Sequence, residues 1–233
     1  MLMAVVAGPK EHPTSMSQIS LTHEVVKPRQ TSAEAKAPLL VMLHGVGANE
    51  HDLLPLAQYL DPRLCVVSAR APHRYQFGGF SWFDIHWHAK GFNIDTNQAQ
   101  QSWETVQRFL GEACSAYDCD PKQIYLGGFS QGAIMSLGAT LTKPELIAGT
   151  ILMSGRWMPE VGPQTDREHI ANKPIVAVHG VYDEVIPIQY GRAIRDFLQT
   201  LPVQLEYHEF AMGHEINLDS LQVVVKWLKQ QLG

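Results

Sequence analysis

Beyond Pro38 the chain alternates between two textures. Short apolar runs recur as LLVMLHG (39–45), LCVVSAR (64–70), QIYLGGF (123–129), AGTILMSG (148–155), PIVAVHG (174–180) and VQLEYHEF (203–210). Runs of this kind, closed by glycine or a small polar residue, read as strands buried on both faces. Helical text falls between them. Residues 97–117 set Ala99, Trp103, Val106, Phe109, Leu110 and Ala113 at helical spacing. Residues 131–142 are small and apolar, 188–200 begin just after Pro187, and 219–232 close the chain. Strand and helix in alternation predict an α/β fold, a mostly parallel sheet with helices on both faces. Residues 1–36 are richer in Pro, Ser, Thr, Lys and Gln. They read as a leader with a possible edge strand in QISLTHEVV, ahead of a single domain over 37–233.

In such a sheet, ligands bind beyond the carboxyl ends of the strands. Those ends are His44-Gly45, Arg70-Ala71, Phe129-Ser130, Ser154-Gly155, His179-Gly180 and Phe210. The chemically interesting residues therefore collect along one rim.

Composition narrows the partners. At 233 residues the chain suits one large α/β domain, with 45% hydrophobic residues enough for a core. A net charge of −5 and no basic stripe argue against nucleic acid and against anionic membranes. Cys65, Cys114 and Cys119 form no C-x-x-C pair, so they imply neither a disulfide framework nor a metal site and fit a reducing compartment. The opening MLMAVVAGPKEHP has only a short apolar run and no leading basic region. A cytoplasmic protein without an integral membrane segment is the expectation.

The candidate chemistry begins at Gly128-Phe129-Ser130-Gln131-Gly132. It is either an ordinary glycine-rich turn or a device for exposing one serine. A strand before it and a small-residue helix after it fit the nucleophile elbow G-x-S-x-G, whose tight turn needs small flanking residues. The serine then stands at the rim beside a helix N-terminus, where anions are stabilised. A serine hydroxyl needs a base. His214, after the last apolar run, is placed to reach Ser130 if it is more than a loop histidine. The acid that would orient it belongs on the preceding loop, at Asp183 or its neighbour Glu184. The order Ser, Asp, His, with room for a strand and a helix in each gap, is the one this kind of sheet requires. Charge on a tetrahedral intermediate needs two backbone donors. Gln131 N–H is one, and Val46 N–H, in the small-residue loop after His44-Gly45, is the other candidate.

LHGVGANEHDL, SWFDI, GFSQGA, HGVYDEVIP and MGHEI, in this order from about residue 38 to the end, resemble the phospholipase/carboxylesterase family of α/β-hydrolases. That family includes bacterial carboxylesterases and acyl-protein thioesterases. The resemblance implies an α/β-hydrolase fold with Ser130 as nucleophile, Asp183 as orienting acid, His214 as general base, and Val46 and Gln131 as oxyanion donors. It implies hydrolysis of a small-molecule acyl ester, with thioesters and lysophospholipids as alternative substrates, and it leaves room for a homodimer. A dead site serving as a ligand-binding module is the remote alternative. No cofactor is called for. In this family the WFD segment lies near the cleft, so Trp82 and Phe83 are candidates to shape the acyl site, with core packing the competing reading. Val185 and Ile186 are weaker candidates for the pocket. His86 and His88 lie two apart, but a zinc site needs at least three protein ligands and serine chemistry needs no metal.

Overall fold

A computed structural model describes residues 19–88 and 91–233, with the backbone alone at 87, 88 and 91–93. The strands are β1 (His23–Val26), β2 (Ala37–Leu43), β3 (Cys65–Ala69), β4 (His73–Arg74), β5 (Phe80–Ser81), β6 (Ile85–His88), β7 (Gly91–Ile94), β8 (Cys119–Phe129), β9 (Gly149–Met153), β10 (Pro174–Gly180) and β11 (Gln204–Phe210). The helices are α1 (Thr96–Ala116), α2 (Gln131–Thr142), α3 (Ile188–Leu198) and α4 (Leu218–Leu232). Seven strands form one sheet in the order β1-β3-β2-β8-β9-β10-β11. All its pairs are parallel except β1 with β3, where His23 lies opposite Ala69. β1 falls inside the stretch read as a leader.

The apolar runs become strands because both sheet faces are covered. Leu39, Val41 and Leu43 of β2 face one core with α1, α2 and α3, which contribute Phe109, Leu137 and Ile194. Leu40 and Met42 face the other, with Val224, Trp227 and Leu228 of α4 and the short helical turn carrying Leu53 and Ala57. Period-two alternation thus sends successive side chains into two separate apolar layers. Burying one such large side chain contributes about 1.5–3 kcal/mol.

α1 buries the stripe its spacing predicts, from Ala99 to Ala113, and Asp95 caps it by accepting from Gln98 N–H at 2.9 Å. α2 is buried along nearly its whole length, which explains its lack of charged residues, and the hydroxyls of Ser136, Thr140 and Thr142 donate to carbonyls of the helix itself. Two short antiparallel strand pairs, β4–β5 and β6–β7, are set off from the main sheet. Strands of two to four residues leave too little periodicity to be read from sequence. Among the described residues, no helix is long and apolar enough to cross a membrane.

Candidate active site

β8 ends and α2 begins at Ser130, which adopts φ 55° and ψ −117°. A non-glycine residue in this region stores on the order of 1–3 kcal/mol of strain. The surroundings hold it there. Ser130 N–H donates to Met153 O at 2.9 Å, and its carbonyl accepts from Ala133 and Ile134 N–H. The flanking glycines are dictated by backbone contact. A Cβ at Gly128 would stand 2.3 Å from the Gly132 carbonyl carbon, and one at Gly132 would stand 1.9 Å from Leu43 O.

His214 follows β11 and reaches Ser130: its Nε2 lies 2.9 Å from Ser130 Oγ. Its Nδ1 lies 2.7 Å from Oδ2 of Asp183. A carboxylate can only accept, so Nδ1 carries the proton and Nε2 is free to accept from the serine hydroxyl. The Phe129 ring packs beside the imidazole, with centroids 4.8 Å apart. Asp183 is buried, and its Oδ1 accepts from Val185 N–H at 2.9 Å and Ile186 N–H at 2.7 Å. Its neighbour Glu184 is exposed, and of the two acids it is Asp183 that lies within hydrogen-bond distance of His214.

Sequence reasoning passed over His179. It is the penultimate residue of β10, its Nε2–H donating to Ile186 O at 2.7 Å and lying 3.5 Å from Asp183 Oδ2. Burial pushes its pKa down and keeps the ring neutral. The ring rests on Gly191, where a Cβ would come within 2.6 Å of Nδ1. These groups are close in sequence, but their contacts depend on how the loop after β10 folds back over the strand end, which spacing does not signal.

The loop after β2 lies against the elbow. A Cβ at Gly45 would stand 3.3 Å from Ser130 Cβ. Val46, half-buried, follows. Neither its N–H nor that of Gln131 makes a hydrogen bond among the described residues. The loop is anchored at its far end by Glu50, which is 3% exposed and takes a bidentate pair of hydrogen bonds from Arg70. The Arg70 guanidinium holds the Glu50 carboxyl at about 2, well below its ordinary 4.5. A depressed acid pKa stabilises the fold above its unfolded value. That contribution is lost as pH falls from about 4.5 toward 2. We expect Glu50→Gln to lower the melting temperature at pH 7 by roughly 2–6 °C. The difference from the parent should vanish as both are melted at pH values approaching 2. An unchanged melting temperature at pH 7 would refute this.

Trp82 and Phe83 correct an expectation. Both are core residues, 0% and 1% exposed, so neither offers surface to an acyl chain. The aromatic character of the segment reflects packing and hydrogen bonding. Ile186 is half-buried, Val185 is exposed, and both carry backbone N–H groups that Asp183 uses. His86 is exposed on β6, and the His88 side chain lies outside the described residues. A crevice of about 530 Å³ at the opposite, amino-terminal edge of the sheet, beside Pro38 and Tyr117, holds none of these groups.

Known proteins share this architecture. The chain is similar to acyl-protein thioesterase 1 of Kluyveromyces lactis, 28% identical over 87% of this chain and 95% of that one. It is also similar to a probable inactive carboxylesterase of Oryza sativa, 27% identical over 87% of this chain and 88% of the relative. The crystal structure of esterase PE8 superposes with a TM-score of 0.79 over 90% of this chain and 98% of that chain, at 24% identity, a likeness of fold. Residues 22–232 match the phospholipase/carboxylesterase family, and the chain belongs to that family of α/β-hydrolases.

Proposed function

We propose that this chain is a serine carboxylesterase hydrolysing short- to medium-chain acyl esters through an acyl-enzyme. The observation that carries the reading is the unbroken relay from Ser130 Oγ through His214 to Asp183, at 2.9 and 2.7 Å. In this mechanism His214 Nε2 takes the serine proton as Oγ attacks the ester carbonyl carbon. The carbonyl oxygen becomes an oxyanion held by the N–H groups of Val46 and Gln131. Asp183 keeps the ring in the productive tautomer and stabilises the imidazolium. As the C–O bond breaks, His214 returns the proton to the departing alcohol. Water repeats the sequence on the acyl-enzyme, releasing the acid and restoring Ser130. Ile186 and the exposed Val185, on the loop that carries Asp183, supply apolar surface for the acyl chain.

The acyl-protein thioesterase relative favours a second reading with the same machinery. A thioester differs only in its leaving group, which departs as a thiol. The distinction lies in kcat/KM across p-nitrophenyl acetate through palmitate set against matched thioesters. We expect short and medium oxyesters to be preferred, and a thioester preference would move the assignment to the second reading. A fluorophosphonate probe should label the protein with one equivalent, at Ser130 on peptide mapping. An intact but unlabelled protein would instead be a non-catalytic binding module, like a relative described as inactive.

A further inference from the structure

The oxyanion reading leaves one question open. Val46 and Gln131 sit on different segments, the loop after β2 and the start of α2, and some element must set the distance between their N–H groups. Trp82 touches both segments. Its backbone N–H donates to Gln131 Oε1 at 2.7 Å, and its indole Nε1–H donates to His44 O at 2.9 Å. The Gln131 side chain returns the bond on its other side, Nε2 donating to Phe83 O at 2.7 Å. Gln131 is 2% exposed, so this amide is spent entirely inside the protein.

The partners are themselves fixed. The Trp82 carbonyl accepts from Ser102 Oγ on α1. His44 Nδ1–H donates to Gly45 O at 2.6 Å, and its Nε2 accepts from Ala71 N–H at 3.0 Å. Both ring nitrogens are thereby used in the neutral form, and burial pushes the pKa down to match. The His44 peptide, one residue before Gly45-Val46, therefore cannot rotate without breaking bonds to two other segments. Gly132 permits the close approach, since a Cβ there would meet Leu43 O at 1.9 Å and His44 O at 2.8 Å.

We propose that Trp82 and the Gln131 side chain are positioning residues that lock the Val46 and Gln131 N–H groups at the spacing an oxyanion requires. This rests on the oxyanion assignment above. It replaces the idea of Trp82 as a substrate wall and gives the Gln131 side chain a task of its own. Preorganised donors stabilise a transition state because they need no reorganisation when charge appears. A brace that loosens therefore lowers kcat and leaves ground-state binding alone.

The test uses the full chain with Trp82→Phe, which keeps the ring bulk and removes the indole N–H, and Gln131→Met, which keeps the side-chain length and removes both bonds. Active sites are counted by exhaustive fluorophosphonate labelling, so misfolded protein drops out of the comparison. For each variant we expect kcat on p-nitrophenyl butyrate to fall by about 10–100-fold with KM little changed. Affinity for a trifluoromethyl ketone, which forms a hemiketal oxyanion on the serine, should fall by a similar factor. If Trp82→Phe does not fold, Gln131→Met decides alone. A rise in KM at constant kcat would restore the substrate-wall reading and overturn the brace. Unchanged kcat and unchanged ketone affinity in labelled Gln131→Met would overturn it as well. The parent reports separately on the oxyanion assignment. If it binds the trifluoromethyl ketone no more tightly than the methyl ketone, that assignment fails whatever the variants do.

Discussion

Replacing Ser130 with alanine should leave a folded protein whose turnover of p-nitrophenyl acetate falls at least about 10⁴-fold. The two halves of this expectation have separate physical origins. Stability is spared because the hydroxyl does little structural work. It makes no side-chain cap for α2, and its one hydrogen bond among the described residues is to His214, whose side chain is 16% exposed and can turn to water. The strained φ of 55° is set by the backbone and is as demanding for alanine as for serine. Glycine adopts that φ without strain, so Ser130→Gly should match or exceed the parent in thermal stability while also being inactive. Activity is lost because no other group can take the nucleophile's place. The neighbouring Phe129 and Gln131 side chains face the His214 ring and the Trp82–Phe83 backbone respectively. Residual oxyanion binding can still polarise an ester toward water, so the rate should settle above background rather than at it. Melting curves and active-site-normalised kcat check the two halves. Substantial esterase activity in Ser130→Ala would remove Ser130 from the mechanism, and an unfolded variant would show that the elbow depends on the hydroxyl.

Much of this site could be read from the sequence because its residues follow strands, and strands buried on both faces announce themselves. LLVMLHG, QIYLGGF and PIVAVHG have no alternation because their residues enter two apolar layers in turn. With those runs placed, Ser130 directly follows one strand, Asp183 stands three residues past Gly180 and His214 four past Phe210. What stayed illegible depends on contacts that only the fold creates. Asp183 and Glu184 are adjacent in sequence, and only the fold shows that the first is buried and the second exposed. The Glu50–Arg70 pair and the Gln131 clamp on Trp82 and Phe83 join segments whose register no local pattern specifies, and the bond from His179 to Ile186, though short in sequence, depends on how the loop after β10 folds back. Trp82 shows the hazard most clearly. An aromatic residue near a cleft looks like a substrate contact, whereas its two N–H groups are turned inward to backbone and amide acceptors.

Asp183→Asn should lower kcat by roughly 10³–10⁴-fold at pH 7 while keeping most of the fold's stability. The substitution is nearly isosteric, so its effect turns on which way the new amide points. Oδ1 of Asp183 accepts from two backbone donors, Val185 and Ile186 N–H. An amide nitrogen there would face two N–H groups, donor against donor, and leave them unpaired. The asparagine oxygen is therefore held on that side, and its NH₂ must face His214 where Oδ2 now accepts at 2.7 Å. A donor in that position requires Nδ1 of His214 to accept, which moves the ring proton to Nε2. The nitrogen 2.9 Å from Ser130 Oγ can then no longer take the serine proton. The nucleophile is present, the geometry is intact, and the tautomer is wrong. His179 does not rescue it, because its Nε2–H is engaged by Ile186 O and it too can only donate toward residue 183. The rate of fluorophosphonate labelling should fall in parallel with kcat, since both need an activated Ser130, and KM should move little. Glu184→Gln, an exposed change one residue away, should leave kcat and labelling as they are. If Asp183→Asn retains activity and Glu184→Gln does not, the orienting acid has been assigned to the wrong neighbour.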